Sequence, residues 1–277
     1  MTDRYAVIGN PIAHSKSPVI HTEFARRTGE PITYERLLAP LDGFAATVAD
    51  FAAHGGKGFN VTVPFKGEAF ALASECTERA RFAKAVNTLK RVGDRWHGDN
   101  TDGAGLVRDL VENLRVPLAG RRLLVLGAGG AAHGILKPIL DQYPQTLVIA
   151  NRTWAKAQAL AQDFDRHGPV TAATPESLDG QQFDVVINAT SFGMRADSGA
   201  APCPATIFAP GSFAYDLVYA QGETPTPFVA FARASGAARA ADGLGMLIEQ
   251  AAEAFHVWRG VRPDTTSMLT MLRSGSA

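Results

Sequence analysis

The glycine-rich segment LLVLGAGGAAHG, residues 123–134, constrains the fold more than any other stretch of the chain. An apolar run stops at Gly127, the pattern Gly127-x-Gly129-x-x-Ala132 follows, and helix-forming residues come next. Glycines at these places allow a tight strand-to-helix turn and let the backbone approach a pyrophosphate at the positive end of the helix. We therefore predict a βα unit that binds a dinucleotide, in preference to an ordinary glycine-rich turn.

Apolar patterns typical of strands alternate with helical patterns along the rest of the chain. Predicted strands cover residues 5–9, 32–38, 58–63, 122–127, 146–150, 183–189 and 213–218. Predicted helices cover residues 19–27, 44–53, 130–140, 153–164 and 244–258, and a further helix runs from Asp102 to near Pro117. Residues 85–92 and 95–97 predict a hairpin. This alternation indicates an α/β fold with mainly parallel sheets.

The predicted elements fall into two domains. The first is a mainly parallel α/β domain made of residues 1–103 plus 243–277, and the second is a Rossmann-like domain of residues 104–242. This division requires the C-terminal helix to return to the first domain. A chain of 277 residues is long enough for two hydrophobic cores.

Composition excludes several classes of partner. The 27 basic and 27 acidic residues balance, so the charge favours neither nucleic acid nor a membrane surface. No apolar stretch has the length of a membrane span or the pattern of a signal peptide. Cys76 and Cys203 form no CxxC unit, and we expect both to be reduced and buried, with no metal. These features predict a soluble, cytoplasmic protein.

The residues after the strand at 146–150 distinguish two cofactors. An NAD site usually carries an acidic residue about 20 positions after the glycines, to bind the ribose 2′-hydroxyl. Here Asn151 and Arg152 hold that place, with Thr153 and Lys156 close behind. A guanidinium can hold a 2′-phosphate through paired hydrogen bonds. We predict NADP; the alternative is that these residues are only a solvated helix start.

The stretch GFNVTVPFK, residues 58–66, predicts a polar ligand site. Asn60 and Thr62 are two residues apart, so both side chains share one face of the predicted strand, and Lys66 follows at once. Lys66 is a candidate acid–base residue. Asp102, in the motif GDNTDG, is either its partner or the cap of its own helix.

The loop NPIAHSKSP carries two hydroxyls, Ser15 and Ser17, beside a predicted helix start. Such a pair suits a carboxylate. On this loop alone, however, capping of the helix by Ser17, with Pro18 at the first helical position, is the better interpretation. Four histidines are weaker acid–base candidates that we expect to lie in surface or loop positions: His14, His21, His97 and His133.

The motifs NPIAHSKSP, FNVTVPFK, AVNTL, GDNTDG, LGAGGAA, NRT, NATSFGM, YDLVY and ADGLGMLIEQA occur in the order found in shikimate dehydrogenases. The chain resembles this family over nearly its whole length. The resemblance implies reversible reduction of 3-dehydroshikimate to shikimate with NADPH, in the shikimate pathway of aromatic amino acid biosynthesis. It also implies that the first domain binds substrate, the second binds NADP, and the protein is a monomer or a homodimer.

The resemblance assigns roles residue by residue. Lys66 is the implied acid–base residue, paired with Asp102. The implied substrate contacts are Ser15, Ser17 and Tyr219 to the carboxylate, and Asn60, Thr62, Asn87, Asp102 and Gln250 to the ring hydroxyls. The implied cofactor contacts are Glu78, Gly127, Ala128, Gly129, Gly130, Ala131, Asn151, Arg152, Thr153, Lys156, Leu217 and Gly243.

Two alternatives remain at this point. A quinate/shikimate dehydrogenase that uses NAD is disfavoured by Arg152, and by Ser17, because quinate users often have threonine there. A non-catalytic homologue that binds shikimate or NADP would be expected to have lost Lys66 or Asp102, and both are present.

Overall fold

A computed structural model describes residues 2–193, 201–220, 222 and 224–274 of the chain. The chain forms two compact units, one made of Met1–Gly105 with Leu247–Ala277 and the other of Leu106–Met246. Each unit contains a six-stranded sheet with helices, which confirms the predicted two-domain α/β class. The C-terminal helix belongs to the first unit over most of its length, as predicted.

The sheet of the first unit is mixed but mainly parallel. Its strands are β1 (Asp3–Gly9), β2 (Ile32–Leu38), β3 (Gly56–Val61), β4 (Glu75–Cys76), β5 (Thr88–Val92) and β6 (Arg95–Asp99). They lie in the order β2-β1-β3-β5-β6-β4. Among these six strands β5 alone runs in the opposite direction, because a tight hairpin turn containing Gly93, with φ 60°, joins it to β6.

Helices cover both faces of this sheet. They are α1 (Ser17–Thr28), α2 (Phe44–Ala53), α3 (Lys66–Leu72), α4 (Glu78–Ala83), α5 (Asp102–Arg108), α9 (Leu244–Arg259) and α10 (Met268–Arg273), with α5 and α9 continuing into the second unit. One core contains buried side chains of α2, α3, α4 and the strands, including Phe44 and Phe59. In a separate cluster, Tyr5 of β1 packs against Trp258 of α9, whose Nε1 donates to the Leu89 carbonyl at 3.0 Å.

The second unit has a fully parallel sheet. Its strands are β7 (Arg122–Leu126), β8 (Thr146–Ala150), β9 (Val170–Ala173), β10 (Phe183–Asn188), β11 (Phe208–Asp216) and β12 (Arg239–Ala241), and its own helices are α6 (Gly130–Leu140), α7 (Trp154–Phe164) and α8 (Pro227–Ala234). The order β12-β11-β10-β7-β8-β9 is that of a Rossmann sheet, in which ligands bind where the order reverses, between β7 and β10.

The predicted bounds of β2, α2, α6 and β8 agree with the structure, but others do not. The strand predicted at 58–63 ends at Val61, because the chain turns and the Phe65 N–H donates to the Thr62 carbonyl at 3.0 Å. The helix predicted to reach Pro117 changes to a π-helix at Asp109 and ends at Asn113. β11 begins at Phe208, five residues earlier than predicted, since Gly211 with φ 78° interrupts its apolar pattern.

No helix in the described ranges is long and apolar enough to cross a membrane. The same ranges hold no group of three or more histidine, cysteine or acidic side chains that could bind a metal. Both cysteines are free; Cys203 is buried as expected, whereas Cys76 is only partly buried.

Candidate active site

The first unit brings Lys66 and Asp102 together as an ion pair. Each is the first residue of a helix, α3 and α5 respectively, and the Lys66 Nζ lies 2.5 Å from the Asp102 Oδ2. The side chains are 30% and 15% exposed, so the lysine can reach a bound molecule while its carboxylate partner is largely shielded. The Val86 N–H donates to the Lys66 carbonyl at 3.0 Å, which fixes the start of α3.

The buried Asn87 holds the carboxylate from its other side. Its Nδ2 donates to Asp102 Oδ1 at 2.7 Å, and its Oδ1 accepts from the Thr101 N–H at 2.9 Å. The Gln250 Oε1 lies 3.4 Å from the same Nδ2. Because each oxygen of Asp102 has its own donor, Oδ2 is held towards Lys66. The predicted residues Lys66, Asn87, Asp102 and Gln250 therefore form one cluster.

The two serines lie at the start of α1. The Ser17 N–H donates to the Ser15 Oγ at 3.3 Å, and the Arg36 guanidinium donates to the Ser15 carbonyl at 2.6 and 3.1 Å. Lys16 is the N-cap residue and Ser17 is the first helical residue, so the alternative in which Ser17 caps the helix is wrong. The hydroxyl of Ser17 is thus not used as a helix cap.

Asn60 connects this end of the unit to the lysine cluster. The Tyr34 hydroxyl donates to Asn60 Oδ1 at 2.7 Å, and the Asn60 Nδ2 lies 3.4 Å from the Asn87 carbonyl. Thr62 follows the end of β3, where its N–H donates to the Ile8 carbonyl at 3.0 Å. Thr62 lies beyond the end of the strand. The prediction that its side chain shares a strand face with that of Asn60 therefore does not apply.

Sequence reasoning missed three members of this network, Tyr34, Thr88 and Thr101. The Thr88 Oγ1 donates to the Asn87 Oδ1 at 2.8 Å, and the Asn87 Nδ2 donates to the Thr101 Oγ1 at 2.9 Å. Both threonines lie inside the motifs AVNTL and GDNTDG, which were available as a signal. Tyr34 lies in an ordinary strand pattern and carries no such signal. Glu78 is the exposed first residue of α4, outside the hydrogen-bonded cluster.

Two histidines contradict the prediction that all four lie in surface or loop positions. His21 is fully buried in α1, and burial lowers the pKa of its imidazole from 6.5 to about 3. It stacks on Tyr34 with 4.3 Å between ring centroids. The side chain of His133, in α6, is 15% exposed and lies 3.3 Å from the Asp163 carboxylate. The burial of these two histidines could be predicted only from the hydrophobic residues at helical spacing around them, not from the histidines themselves.

In the second unit, the glycine loop after β7 has two kinds of glycine. Gly127 has φ 103°, and an added Cβ would lie 2.9 Å from the Ala189 carbonyl oxygen, so the fold itself requires glycine there. An added Cβ at Gly129 or Gly130 would meet nothing within 4 Å. Gly129 is the N-cap of α6 and Gly130 its first residue, so the helix start is open to phosphate groups. Ala128 and Ala131 complete the loop.

The basic residues after β8 are accessible. Arg152, Thr153 and Lys156 are exposed, and the Asn151 side chain, which is partly buried, donates to the Thr153 carbonyl at 3.0 Å. They flank the start of α7 at Trp154. A positive charge is unfavourable beside the N-terminus of a helix unless an anion binds there. The arrangement therefore suits the 2′-phosphate of NADP.

The remaining candidates follow β11 and β12. The Gly243 N–H donates to the Val218 carbonyl at 3.0 Å, and an added Cβ on Gly243 would lie 2.4 Å from the Leu217 carbonyl oxygen. Burial raises the pKa of Tyr219. Tyr219 belongs to the second unit and the two serines to the first, so their shared contact with a carboxylate stays a prediction.

A Rossmann-ordered sheet with an open glycine turn, together with an α/β unit carrying a lysine–aspartate pair, defines the class of two-domain α/β dehydrogenases. Three family descriptions match the chain: "Shikimate dehydrogenase substrate binding domain" at residues 7–89, "Shikimate / quinate 5-dehydrogenase" at 109–194 and "Shikimate 5'-dehydrogenase C-terminal domain" at 243–272. The chain belongs to the shikimate dehydrogenase family.

Curated relatives and solved structures agree with this membership. The chain is 57% identical to the shikimate dehydrogenase (NADP(+)) of Chromobacterium violaceum over 99% of this chain and 98% of that protein, and equally identical to that of Nitrosospira multiformis over the same shares. It is 32% identical to the shikimate 5-dehydrogenase of Thermus thermophilus, solved with NADP(H) and shikimate, with a TM-score of 0.86 and 99% of both chains covered. An Ael1 enzyme from Pseudomonas putida is 49% identical, with a TM-score of 0.92 and 98% of both chains covered.

Proposed function

We propose that this protein catalyses the reversible, NADPH-dependent reduction of 3-dehydroshikimate to shikimate, a step of aromatic amino acid biosynthesis. The observation that carries the proposal is the Lys66–Asp102 pair, held by Asn87, in a member of the shikimate dehydrogenase family. The names of the Chromobacterium and Nitrosospira relatives support the choice of both substrate and cofactor.

In this proposal the first unit binds the substrate and the second binds the cofactor. The loop from Gly127 to Ala131 would hold the pyrophosphate of NADP, because its open glycines leave room beside the start of α6. Arg152 and Lys156, with Asn151 and Thr153, would bind the 2′-phosphate. Glu78, Leu217 and Gly243 are assigned to the cofactor on family resemblance. When bound, NADPH supplies the hydride that reduces the substrate carbonyl.

The residues of the first unit would orient the substrate. The hydroxyls of Ser15 and Ser17, with that of Tyr219, would bind the carboxylate. The ring hydroxyls would contact Asn60, Thr62, Asn87 and Gln250, three of which are linked by the hydrogen bonds described above. Orientation of this kind lowers a barrier because the reacting groups no longer have to find each other in solution.

Lys66 would be the general acid in the reductive direction. Its ammonium donates a proton to the carbonyl oxygen as negative charge develops there, and in the oxidative direction the neutral amine takes that proton back. Asp102 orients the ammonium through the 2.5 Å hydrogen bond, and it would also accept a hydrogen bond from a ring hydroxyl of the substrate. Asn87 keeps the carboxylate from rotating away.

Initial-rate kinetics with four substrate pairs test the proposal. Purified protein is given shikimate or quinate with NADP⁺ or NAD⁺, and formation of the reduced cofactor is followed by its absorbance. Turnover confined to shikimate with NADP⁺ is expected. Turnover of quinate with NAD⁺ would favour the broader quinate/shikimate activity, and no turnover in any pair would favour a non-catalytic binding protein. A Lys66→Ala preparation purified in parallel controls for contaminating host enzyme.

We also propose a cytoplasmic location. The two free cysteines support it, because reduced cysteines are typical of that compartment.

A further inference from the structure

The hydroxyl of Tyr34, on β2, lies beside a residue that the proposed function assigns to the substrate. It donates to Asn60 Oδ1 at 2.7 Å. Burial raises the pKa of Tyr34 well above its usual value. Since Asn60 is assigned to the ring hydroxyls, this phenol contacts one of the groups that would bind the substrate.

Of the three hydrogen bonds that the Asn60 side chain makes to Tyr34, Asn87 and Thr88, the one from Tyr34 is the shortest. The Asn60 Nδ2 lies 3.4 Å from the Asn87 carbonyl and 3.3 Å from the Thr88 Oγ1, distances at which hydrogen bonds are weak. A rotated amide would put Oδ1 against the Asn87 carbonyl oxygen, so two acceptors would face each other. With Oδ1 held by Tyr34, Nδ2 remains on the side of Asn87 as a donor.

The ring that carries this hydroxyl is fixed by aromatic packing. His21 stacks on it with a centroid distance of 4.3 Å and an angle of 9° between the planes, and Trp258 lies at 6.2 Å. His21 is fully buried and Trp258 nearly so. The position of the hydroxyl is therefore set by the core and not by a loop, which is what a binding site for a small rigid molecule requires.

We propose that Tyr34 is a positioning residue of the shikimate site, acting through Asn60. The proposal rests on the proposed function and adds to it a residue that family motifs do not mark. Loss of the hydroxyl leaves the Asn60 side chain with only its two long hydrogen bonds, to Asn87 and Thr88. The Asn60 amide is then less firmly held where it would bind the ring hydroxyls of the substrate. Binding suffers more than the chemical step, because Lys66 and Asp102 keep their own partners.

A matched pair of variants tests this. Tyr34→Phe removes the hydroxyl and keeps the stacked ring. Tyr5→Phe removes a hydroxyl from the neighbouring position of the same sheet, since Tyr5 pairs with Tyr34 in register and stacks on Trp258 at 4.7 Å. We expect Tyr34→Phe to raise KM for shikimate roughly tenfold, with kcat and KM for NADP⁺ within about twofold. Tyr5→Phe should leave all three unchanged.

The same substitution in an Asn60→Ala background shows whether Tyr34 acts through Asn60. We expect Tyr34→Phe to raise KM much less there, and full additivity of the two effects would overturn the route through Asn60. An unchanged KM in Tyr34→Phe, or an equal rise in Tyr5→Phe, would overturn the proposal as a whole. Melting temperatures of all variants are compared, so that a loss of folding is seen directly.

Calorimetric titration of the same proteins with shikimate separates this proposal from the function on which it rests. A wild-type protein that binds and oxidises shikimate, with Tyr34→Phe indistinguishable from it, would overturn the role of Tyr34 alone. A wild-type protein that neither binds nor oxidises shikimate would overturn both. Wild-type binding without turnover, weakened roughly tenfold in Tyr34→Phe, would support Tyr34 while the catalytic proposal fails.

Discussion

The candidate substrate residues and the candidate cofactor residues are built in different ways. In the first unit, Lys66, Asn87 and Asp102 are partly or fully buried, and Lys66 and Asn87 each bond to Asp102. In the second unit, Arg152 and Lys156 are exposed, and the glycine loop offers backbone instead of side chains. A small polyhydroxylated molecule needs side chains fixed in advance, because buried polar groups must all find partners. Phosphates can be held by backbone N–H groups and accessible cations.

This comparison predicts where substitutions act. Removing a side chain from the buried cluster should alter the chemical step or substrate binding. In the second unit, backbone conformation and net charge should decide cofactor binding. Three experiments test the contrast and follow in order of decreasing expected effect on kinetics, and a fourth tests the stability of the core of the first unit.

The largest effect is expected for Lys66→Ala. Loss of the general acid should lower kcat by about 10²- to 10⁴-fold, with a much smaller change in KM for shikimate. Steady-state kinetics measure both constants, and Lys57→Ala, which removes an exposed lysine of β3, is the control. A variant that keeps its kcat and only loses affinity would assign Lys66 to recognition instead.

Arg152→Ala should raise KM for NADP⁺ roughly 10- to 100-fold, because charge-assisted hydrogen bonds to the 2′-phosphate are lost. KM for NAD⁺ should stay unchanged, since that cofactor has no such phosphate. Lys156→Ala should have the smaller effect, because lysine lacks the paired donors of arginine. The assignment of Arg152 to the phosphate fails if both cofactors lose affinity equally.

Gly127→Ala should mainly lower stability, whereas Gly129→Ala should mainly weaken cofactor binding. Gly127→Ala forces alanine into φ 103° against the Ala189 carbonyl, so it should lower the free energy of unfolding by about 1–3 kcal/mol. Gly129→Ala, at φ −98° with open space around it, should leave stability unchanged while raising KM for NADP⁺. Urea unfolding and kinetics on both variants decide this, and an unaltered KM for NADP⁺ in Gly129→Ala would contradict a pyrophosphate at the loop.

The fourth experiment concerns the stability of the core behind Tyr34. The pKa of His21 is about 3 in the folded protein because of burial, against an ordinary value of 6.5. Above pH 6.5 the imidazole is neutral in both states, whereas below it only the unfolded state takes up the proton. His21 therefore costs about 1.4 kcal/mol of stability for each pH unit between 6.5 and 3.

His21→Phe keeps an aromatic ring and removes the titration. The free energies of unfolding of the wild type and this variant, measured in urea from pH 7.5 to 4, should diverge progressively below pH 6.5, with the wild type losing more. Parallel pH profiles would mean that the imidazole titrates alike in both states.

Local pattern predicted the elements well where it was uninterrupted. The bounds of α6 follow from the glycines at its start and its regular apolar spacing, and those of β8 from an uninterrupted apolar run that stops at Asn151. The short strands β4, β9 and β12 were missed, because two to four residues carry too little pattern and their pairing is set by neighbouring strands. The early start of β11 was missed because Gly211 is of a residue type that is common in turns.

The amino-acid sequence by itself determined the fold class, the family, the glycine turn and the choice of residues such as Lys66, Asp102 and Arg152. Those features depend on residue types at close spacing, which a sequence displays directly. Only the tertiary structure decided that Tyr34 bonds Asn60, that His21 is buried, and that Asn87 contacts Gln250. The bonded partners are 26 residues apart for Tyr34 and Asn60, and 163 apart for Asn87 and Gln250. Contacts at such separations arise from the order in which strands pair and helices pack, which no local pattern specifies.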